Sequence, residues 1–237
     1  MRRESMSPEV RQLVNRRDFF RTAAAGTTVL ALSGSNYAIA QANDPRANAL
    51  RADGRPRLPP GQRLLTALRP MGGEPGDPTA ANWHLNVHGE CDRPFVVDYA
   101  ALLRMPQTTQ NADVHCVTGW TVLDASWTGV LFTHLAQMAG VRPNARHVIF
   151  EAANGYTTNV PLRECMRPNV MVAHHLNGDP LPRPNGPPVR GLVPDLYFWK
   201  SAKWLTGISF SNVDRPGYWE TRGYHNHADP WTQERYG

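Results

Sequence analysis

Cys116 stands in the string His115-Cys116-Val117-Thr118-Gly119-Trp120, and two strings rich in Arg, Lys and Pro follow it, at residues 184–190 and 200–205. A soft thiolate suits a redox-active metal better than carboxylates do. Asn185 and Arg190 sit in the first, Pro-constrained loop, and Lys200 and Lys203 in the second. Two rigid loops that deliver Arg, Lys and backbone N–H groups can clamp a terminal phosphate, with Arg giving bidentate geometry. Together these residues point to a metal cofactor with a phosphate tail. The bland reading, an inert thiol and a solvated basic face, would be the ordinary one for each string alone.

These residues need rigid elements to hold them. Residues 83–89 alternate apolar and polar and read as a half-buried strand ending at Gly89. Residues 95–97 read as a second strand, 98–104 as a helix capped by Asp98 and stopped before Pro106, and 114–116 as a strand ending at the cysteine. Residues 127–130 read as an approach loop, and 131–139 as an amphipathic helix closed by Gly140. Strands are expected at 147–151, 156–161, 170–174, 189–193 and 205–210, with a short helical turn at 162–166 and turns at Asn154-Gly155 and Asn177-Gly178. Short strands mixed with a few short helices predict an α+β fold of mixed sheets rather than regular βα alternation. The aromatic tail, 213–237, is expected to pack back onto the domain.

In order and spacing, the cysteine string and the two basic strings resemble the molybdenum-pterin domain of the sulfite oxidase family, over roughly residues 83–211; residues 172–190 carry the most specific match. The resemblance implies that Cys116 ligates molybdenum together with the two dithiolene sulfurs of a molybdopterin. It also implies that Asn185, Arg190, Ser201, Ala202 and Lys203 contact that cofactor, and that Tyr156, two residues after Asn154, is a catalytic phenol beside the metal. A phenol there can donate a hydrogen bond and couple proton to electron transfer, whereas a strand tyrosine is ordinarily a packing residue. Trp127 resembles a tryptophan at the site's mouth.

Sulfite oxidases place arginines just after the metal cysteine, but here residues 117–120 carry no cation. A dianion thereby loses an electrostatic anchor, which favours a neutral S-oxide substrate such as methionine sulfoxide over sulfite oxidation. Trp120 and Trp127 bring the chain closer to the periplasmic methionine-sulfoxide reductase catalytic subunits, although Ala152 replaces a cofactor-contacting threonine. Neither a b5-type haem domain nor a dimerisation domain is apparent. Electrons are therefore expected to come from a separate partner, either a membrane haem subunit or a soluble cytochrome. The third possibility is a non-catalytic electron-transfer module.

The 237 residues, 41% hydrophobic with 21 Pro and 19 Gly, suit one loop-rich domain. Residues 1–40 carry six Arg against three acids, leaving 19 cations against 17 acids, a balance of +2, which gives nucleic-acid binding little support. That first segment combines Arg16-Arg17 with a weakly apolar run and Ala38-Ile39-Ala40, the pattern of a twin-arginine export signal cleaved near Ala40. Its roughly 12 apolar residues fall short of the ~20 a bilayer needs. The expected organisation is a signal at 1–40, a wrapping linker at 41–80 and the molybdopterin-binding domain at 81–237, located in the periplasm. Cys91 and Cys165 show no metal-ligand spacing with Cys116, and their spacing gives no evidence of pairing. Adjacent His174 and His175 are expected on opposite strand faces, whereas His225 and His227 could share one side of an extended tail.

Overall fold

A computed structural model describes residues 44–72 and 79–237. The export signal expected over 1–40 and its Ala40 cleavage point lie outside the described residues. In chain order the elements are β1 (Arg63–Leu64), β2 (His84–Gly89), β3 (Phe95–Asp98), α1 (Tyr99–Arg104), β4 (Thr108–Cys116), β5 (Trp120–Leu131) and α2 (Phe132–Ala139). There follow β6 (His147–Ala152), β7 (Thr157–Pro161), α3 (Leu162–Cys165), β8 (Met171–Leu176), β9 (Asp179–Pro180), β10 (Arg190–Leu192) and β11 (Leu205–Ser211). They form the expected α+β fold with mixed sheets.

The first sheet runs β1-β5-β8-β10, with β4 on β5 and β9 on β8; the second runs β3-β2-β11-β6-β7. Within the second sheet β11 pairs parallel to β2 and antiparallel to β6. β5 is the axis of the first sheet. One edge carries β4 along its length, while the other carries β1 at Trp120 and Thr121 and β8 at 127–131.

Local chemistry sets the boundaries. The Asp98 carboxylate accepts the Ala101 N–H at 2.7 Å and starts α1. In α2 the buried side chains are Phe132, Leu135, Ala136 and Ala139, a single helical stripe, and Gly140 ends the helix at φ 63°. Burying Phe132 and Leu135 in the core contributes roughly 1.5–3 kcal/mol each.

Two expectations change. Residues 127–130 are not a loop but the second half of the twelve-residue strand β5. Gly129 broke the apolar pattern because β8 approaches there; a Cβ on it would lie 2.1 Å from the Val172 carbonyl oxygen. His174 and His175 do not face apart. Their rings lie 4.6 Å apart with the two Nδ1 atoms in contact, because Thr128 pairs with His175 and Gly129 with Ala173, leaving His174 as a bulge.

Residues 44–58 lie over one face of the first sheet, where Ala47 and Leu58 pack with Leu64 of β1 and Leu123 of β5. Arginines fasten this segment: Arg57 reaches Asp113 and Asp124, each at 2.5 Å, and Arg55 reaches Asp229 at 3.1 Å. The C-terminal tail returns to the body where Tyr218 N–H donates to Thr157 O at 2.9 Å and Tyr197 N–H donates to Ala228 O at 2.8 Å, and it is closed on itself by the bridge Tyr224↔Tyr236. Cys91, Cys116 and Cys165 are all free and buried.

Candidate active site

A second bulge builds the site. Ala112 pairs with Ala125 but Val114 pairs with Val122, so β5 has one residue more than β4 between these pairs, and Asp124 takes φ 56°. The extra residue reverses the alternation along β5. Trp120 and Val122 therefore share a face with Ala125 and Trp127, the face that Ala112, Val114 and Cys116 present on β4. Leu192 and Phe198 join the same cluster from the region of the two basic strings. His115 points to the other face, where its Nδ1 meets the Thr121 hydroxyl at 2.9 Å and its ring meets Trp231. Burial holds His115 down to about 4, so it stays neutral.

Cys116 ends β4 and opens a tight turn, with Gly119 N–H donating to its carbonyl at 3.0 Å. Gln62 donates to the same carbonyl at 3.1 Å. Burial pushes the thiol's pKa up, while the Thr118 hydroxyl, 3.2 Å from Sγ, and the charges of Arg235 and Arg69 pull it back. A bound cation would complete the ionisation of such a thiol.

The two basic strings meet at Arg190. This fully buried guanidinium donates from Nε to Gly191 O at 3.2 Å, from Nη1 to Asn185 O at 3.0 Å and from Nη2 to Ser201 O at 2.8 Å. It thereby ties residues 185 and 201 together. It lies 4.0 Å from the Phe198 ring centroid and 5.5 Å from that of Trp127, on the Cys116 face. Ser201 Oγ accepts the Val193 N–H, Ala202 O accepts the Gly191 N–H, and Lys203 Nζ donates to Pro184 O at 3.2 Å. Gly186, at φ 88°, permits this contact: a Cβ there would lie 2.5 Å from Lys203 Cβ.

Three phenols line this region in different places. The Tyr156 hydroxyl donates to Trp199 O at 2.6 Å, and its charged neighbours are Glu220 and Arg190, so it stands on the side of the basic loops. Burial raises its pKa well above the usual phenol range. The phenols electrostatically coupled to Cys116 are Tyr197 and Tyr224. Sequence reasoning passed over both, since one follows a loop and the other lies in the aromatic tail. It also passed over Arg69 and Arg235, whose charges act on the Cys116 thiol from outside residues 117–120. Lys200 and Arg222 are engaged elsewhere, Lys200 with Glu220 and Arg222 stacked 3.7 Å from the Tyr218 ring centroid. His225 and His227 share Glu234. Among the described residues no group of three or more His, Cys, Asp or Glu is placed to hold a metal ion.

Residues 72–219 match the oxidoreductase molybdopterin-binding domain family. The chain belongs to that family. The oxidoreductase YuiH of Bacillus subtilis, itself uncharacterized, is 41% identical over 182 residues, which cover 76% of this chain and 92% of that one. The protein-methionine-sulfoxide reductase catalytic subunit MsrP of Burkholderia mallei is 28% identical over 62% of this chain and 51% of its own, so the chain spans about half of that relative. The sulfane dehydrogenase SoxCD of Paracoccus pantotrophus shares the fold, with a TM-score of 0.54 at 23% identity over 66% of this chain and 46% of that one. This molybdopterin oxidoreductase is thus an enzyme that works with a molybdenum-pterin cofactor.

The donor set fits that cofactor. Arg190 uses three of its five N–H groups on carbonyls, and no carboxylate among the described residues pairs with it. Burial without such a partner pulls its pKa down to about 9. On the same face the Trp120 and Trp127 indole N–H groups are buried with no acceptor among the described residues. Buried donors left unmatched cost roughly 1–3 kcal/mol each, a cost that an oxygen-rich anionic group would relieve.

Proposed function

We propose that Cys116 ligates the molybdenum, that Asn185, Arg190, Ser201, Ala202 and Lys203 hold the pterin, and that the enzyme moves an oxygen atom to or from a small sulfur compound, preferentially reducing an S-oxide such as methionine sulfoxide. The observation that carries this reading is that Cys116 and Arg190 lie on one sheet face, bridged by Trp127 and Phe198. When bound, the cofactor supplies a metal that exchanges two electrons and one oxygen atom.

The chain's own residues do the rest. Thr118 sits against the thiolate sulfur, and Arg190 sets the spacing of the two loops. Tyr197 and Tyr224 offer phenolic protons on the Cys116 side, while Tyr156 braces the loop at Trp199. The cation-free segment 117–120 and the aromatic Trp120 and Trp127 favour a neutral S=O over a dianion. Sulfite oxidation is the second reading, favoured by the nearness of Arg69 and Arg235 to Cys116.

Electrons would reach the site from a separate carrier, a membrane haem subunit or a soluble cytochrome, in the periplasm after twin-arginine export with cleavage near Ala40. The division at residues 40 and 80 goes with this reading. Reduced-dye assays of methionine sulfoxide against sulfite oxidation, on one molybdenum-loaded preparation, test it. Turnover of sulfoxide is expected; tight, specific sulfite turnover with no sulfoxide reduction would reverse the choice.

A further inference from the structure

Arg235 lies in the C-terminal tail, far along the chain from Cys116, yet its Nη1 donates to the carbonyl of Val117, the residue after the cysteine. Its guanidinium carbon is 5.4 Å from the centroid of the Tyr197 ring. Other arginines of this region are neutralised: Arg51 by Asp195, Arg55 by Asp53 and Asp229, Arg57 by Asp113 and Asp124. No carboxylate among the described residues forms an ion pair with Arg235. Beside it the Tyr197 hydroxyl is buried, with Gln62 nearby but no atom in hydrogen-bonding geometry.

The tail holds Arg235 firmly. His225 N–H donates to Arg235 O at 3.2 Å, and Gly237 N–H donates to Gly223 O at 3.2 Å. The preceding Glu234 accepts from the Asp229 N–H at 2.8 Å and contacts His227 Nδ1 at 2.8 Å. A guanidinium fixed on both sides, half-buried and without a counter-charge favours an anionic oxygen, because charge-assisted hydrogen bonds are about twice as strong as neutral ones. Residues 117–120 supply no cation, so the tail supplies one in their place.

We propose that Arg235 binds an anionic oxygen of the substrate beside Cys116, with the Tyr197 hydroxyl as a neutral second donor. The substrate is then an S-oxide that also carries a carboxylate, in preference to an uncharged sulfoxide. This rests on the oxygen-transfer reading above and names the substrate class for it. The rival role for Arg235, balancing the charge of the cofactor, predicts a loss of bound cofactor rather than of substrate.

The test compares the full chain with Arg235→Gln and Arg235→Lys, each produced with and without the cofactor. Molybdenum per chain is assayed first, then sodium sulfate binding by calorimetry, then kcat/KM for methionine sulfoxide and for dimethyl sulfoxide with a reduced dye. Sulfate binding should weaken about tenfold or more in Arg235→Gln and largely return in Arg235→Lys. Molybdenum content should hold, and methionine sulfoxide should lose kcat/KM mainly through KM while dimethyl sulfoxide does not. Equal sulfate binding in wild type and Arg235→Gln, no sulfate binding in wild type, or a fall in molybdenum content with Arg235→Gln would each overturn the proposal. Absence of molybdenum from the wild type would instead refute the oxygen-transfer reading; sulfate binding to the cofactor-free chain still decides the role of Arg235.

Discussion

Lys200 Nζ lies 2.6 Å from Glu220 Oε1, and neither side chain is more than 1% exposed. The ammonium also donates to Asn159 O, Asn159 Oδ1 and Asn226 O at 2.7, 3.0 and 2.7 Å. The same carboxylate oxygen accepts from Thr158 and from the Trp199 indole, both at 2.9 Å. One buried pair thus joins β7, the turn before Ser201 and the tail segment that carries Tyr224. Lys200, which sequence alone places among the phosphate-binding cations, is a fastener between the second basic loop and the tail.

Lys200→Met should therefore cost roughly 3–5 kcal/mol, because it leaves Glu220 charged and buried. The double variant Lys200→Met with Glu220→Leu should recover a large part of that loss. Denaturant unfolding of the two single variants and the double variant checks it; a double-variant cost equal to the sum of the two single costs would show that the pair is not coupled.

Arg190→Gln should lower molybdenum and pterin per chain, as a buried anion without its bidentate partner loses roughly 1–3 kcal/mol. Arg190→Lys should not restore it, since an ammonium cannot reach three carbonyls and an anion with one planar fork. Metal and pterin analysis after gel filtration gives the answer, and full occupancy in Arg190→Gln would place the phosphate clamp elsewhere.

Gly186→Ala and Gly155→Ala separate strain from collision. Both glycines have φ near the left-handed region, at 88° and 77°, but only the Cβ of residue 186 meets another group, at 2.5 Å, while nothing lies within 4 Å of residue 155. Gly155→Ala should cost about 1–2 kcal/mol of strain. Gly186→Ala should cost more and also lower cofactor content. Melting curves and molybdenum assays distinguish them.

His227 predicts a pH dependence. Contact with Glu164 first, and with Glu234, raises its pKa above 6.5, against the opposing effect of burial. A raised folded-state pKa gives stability that is fully present below the unfolded value of about 6.5 and lost as pH climbs through the folded value. His227→Gln should therefore be destabilised relative to wild type at pH 6, with the gap narrowing by pH 9. A gap that widens with pH would contradict the ion pairs. Glu164 and Glu234, held below the ordinary carboxylate range, lose their contribution on the acid side.

The elements that announce themselves locally were legible in the sequence: the alternation of β2, the Asp98 cap of α1, the apolar stripe of α2 with Gly140 behind it. What escaped was set by distant partners. Gly129 reads as a loop until β8 lies against it, and the doubled histidines read as divergent until Gly129 and Thr128 force the bulge at His174. At the candidate site, where Arg190 ties residues 185 and 201 together, Cys116 and the strings from Asn185 to Lys203 were visible because their order and spacing resemble the sulfite oxidase family. Arg235, Tyr197 and Tyr224 were not, because their places depend on how the tail folds back, and no short string records that.

The central claim is that the Cys116 thiolate binds the metal, and molybdenum K-edge absorption counts sulfur neighbours directly. Wild-type protein should show three, one from Cys116 and two from the pterin, and Cys116→Ser should show two, with oxygen-transfer activity abolished because a hard alkoxide replaces a soft thiolate. The same sulfur count in wild type and Cys116→Ser would contradict the account.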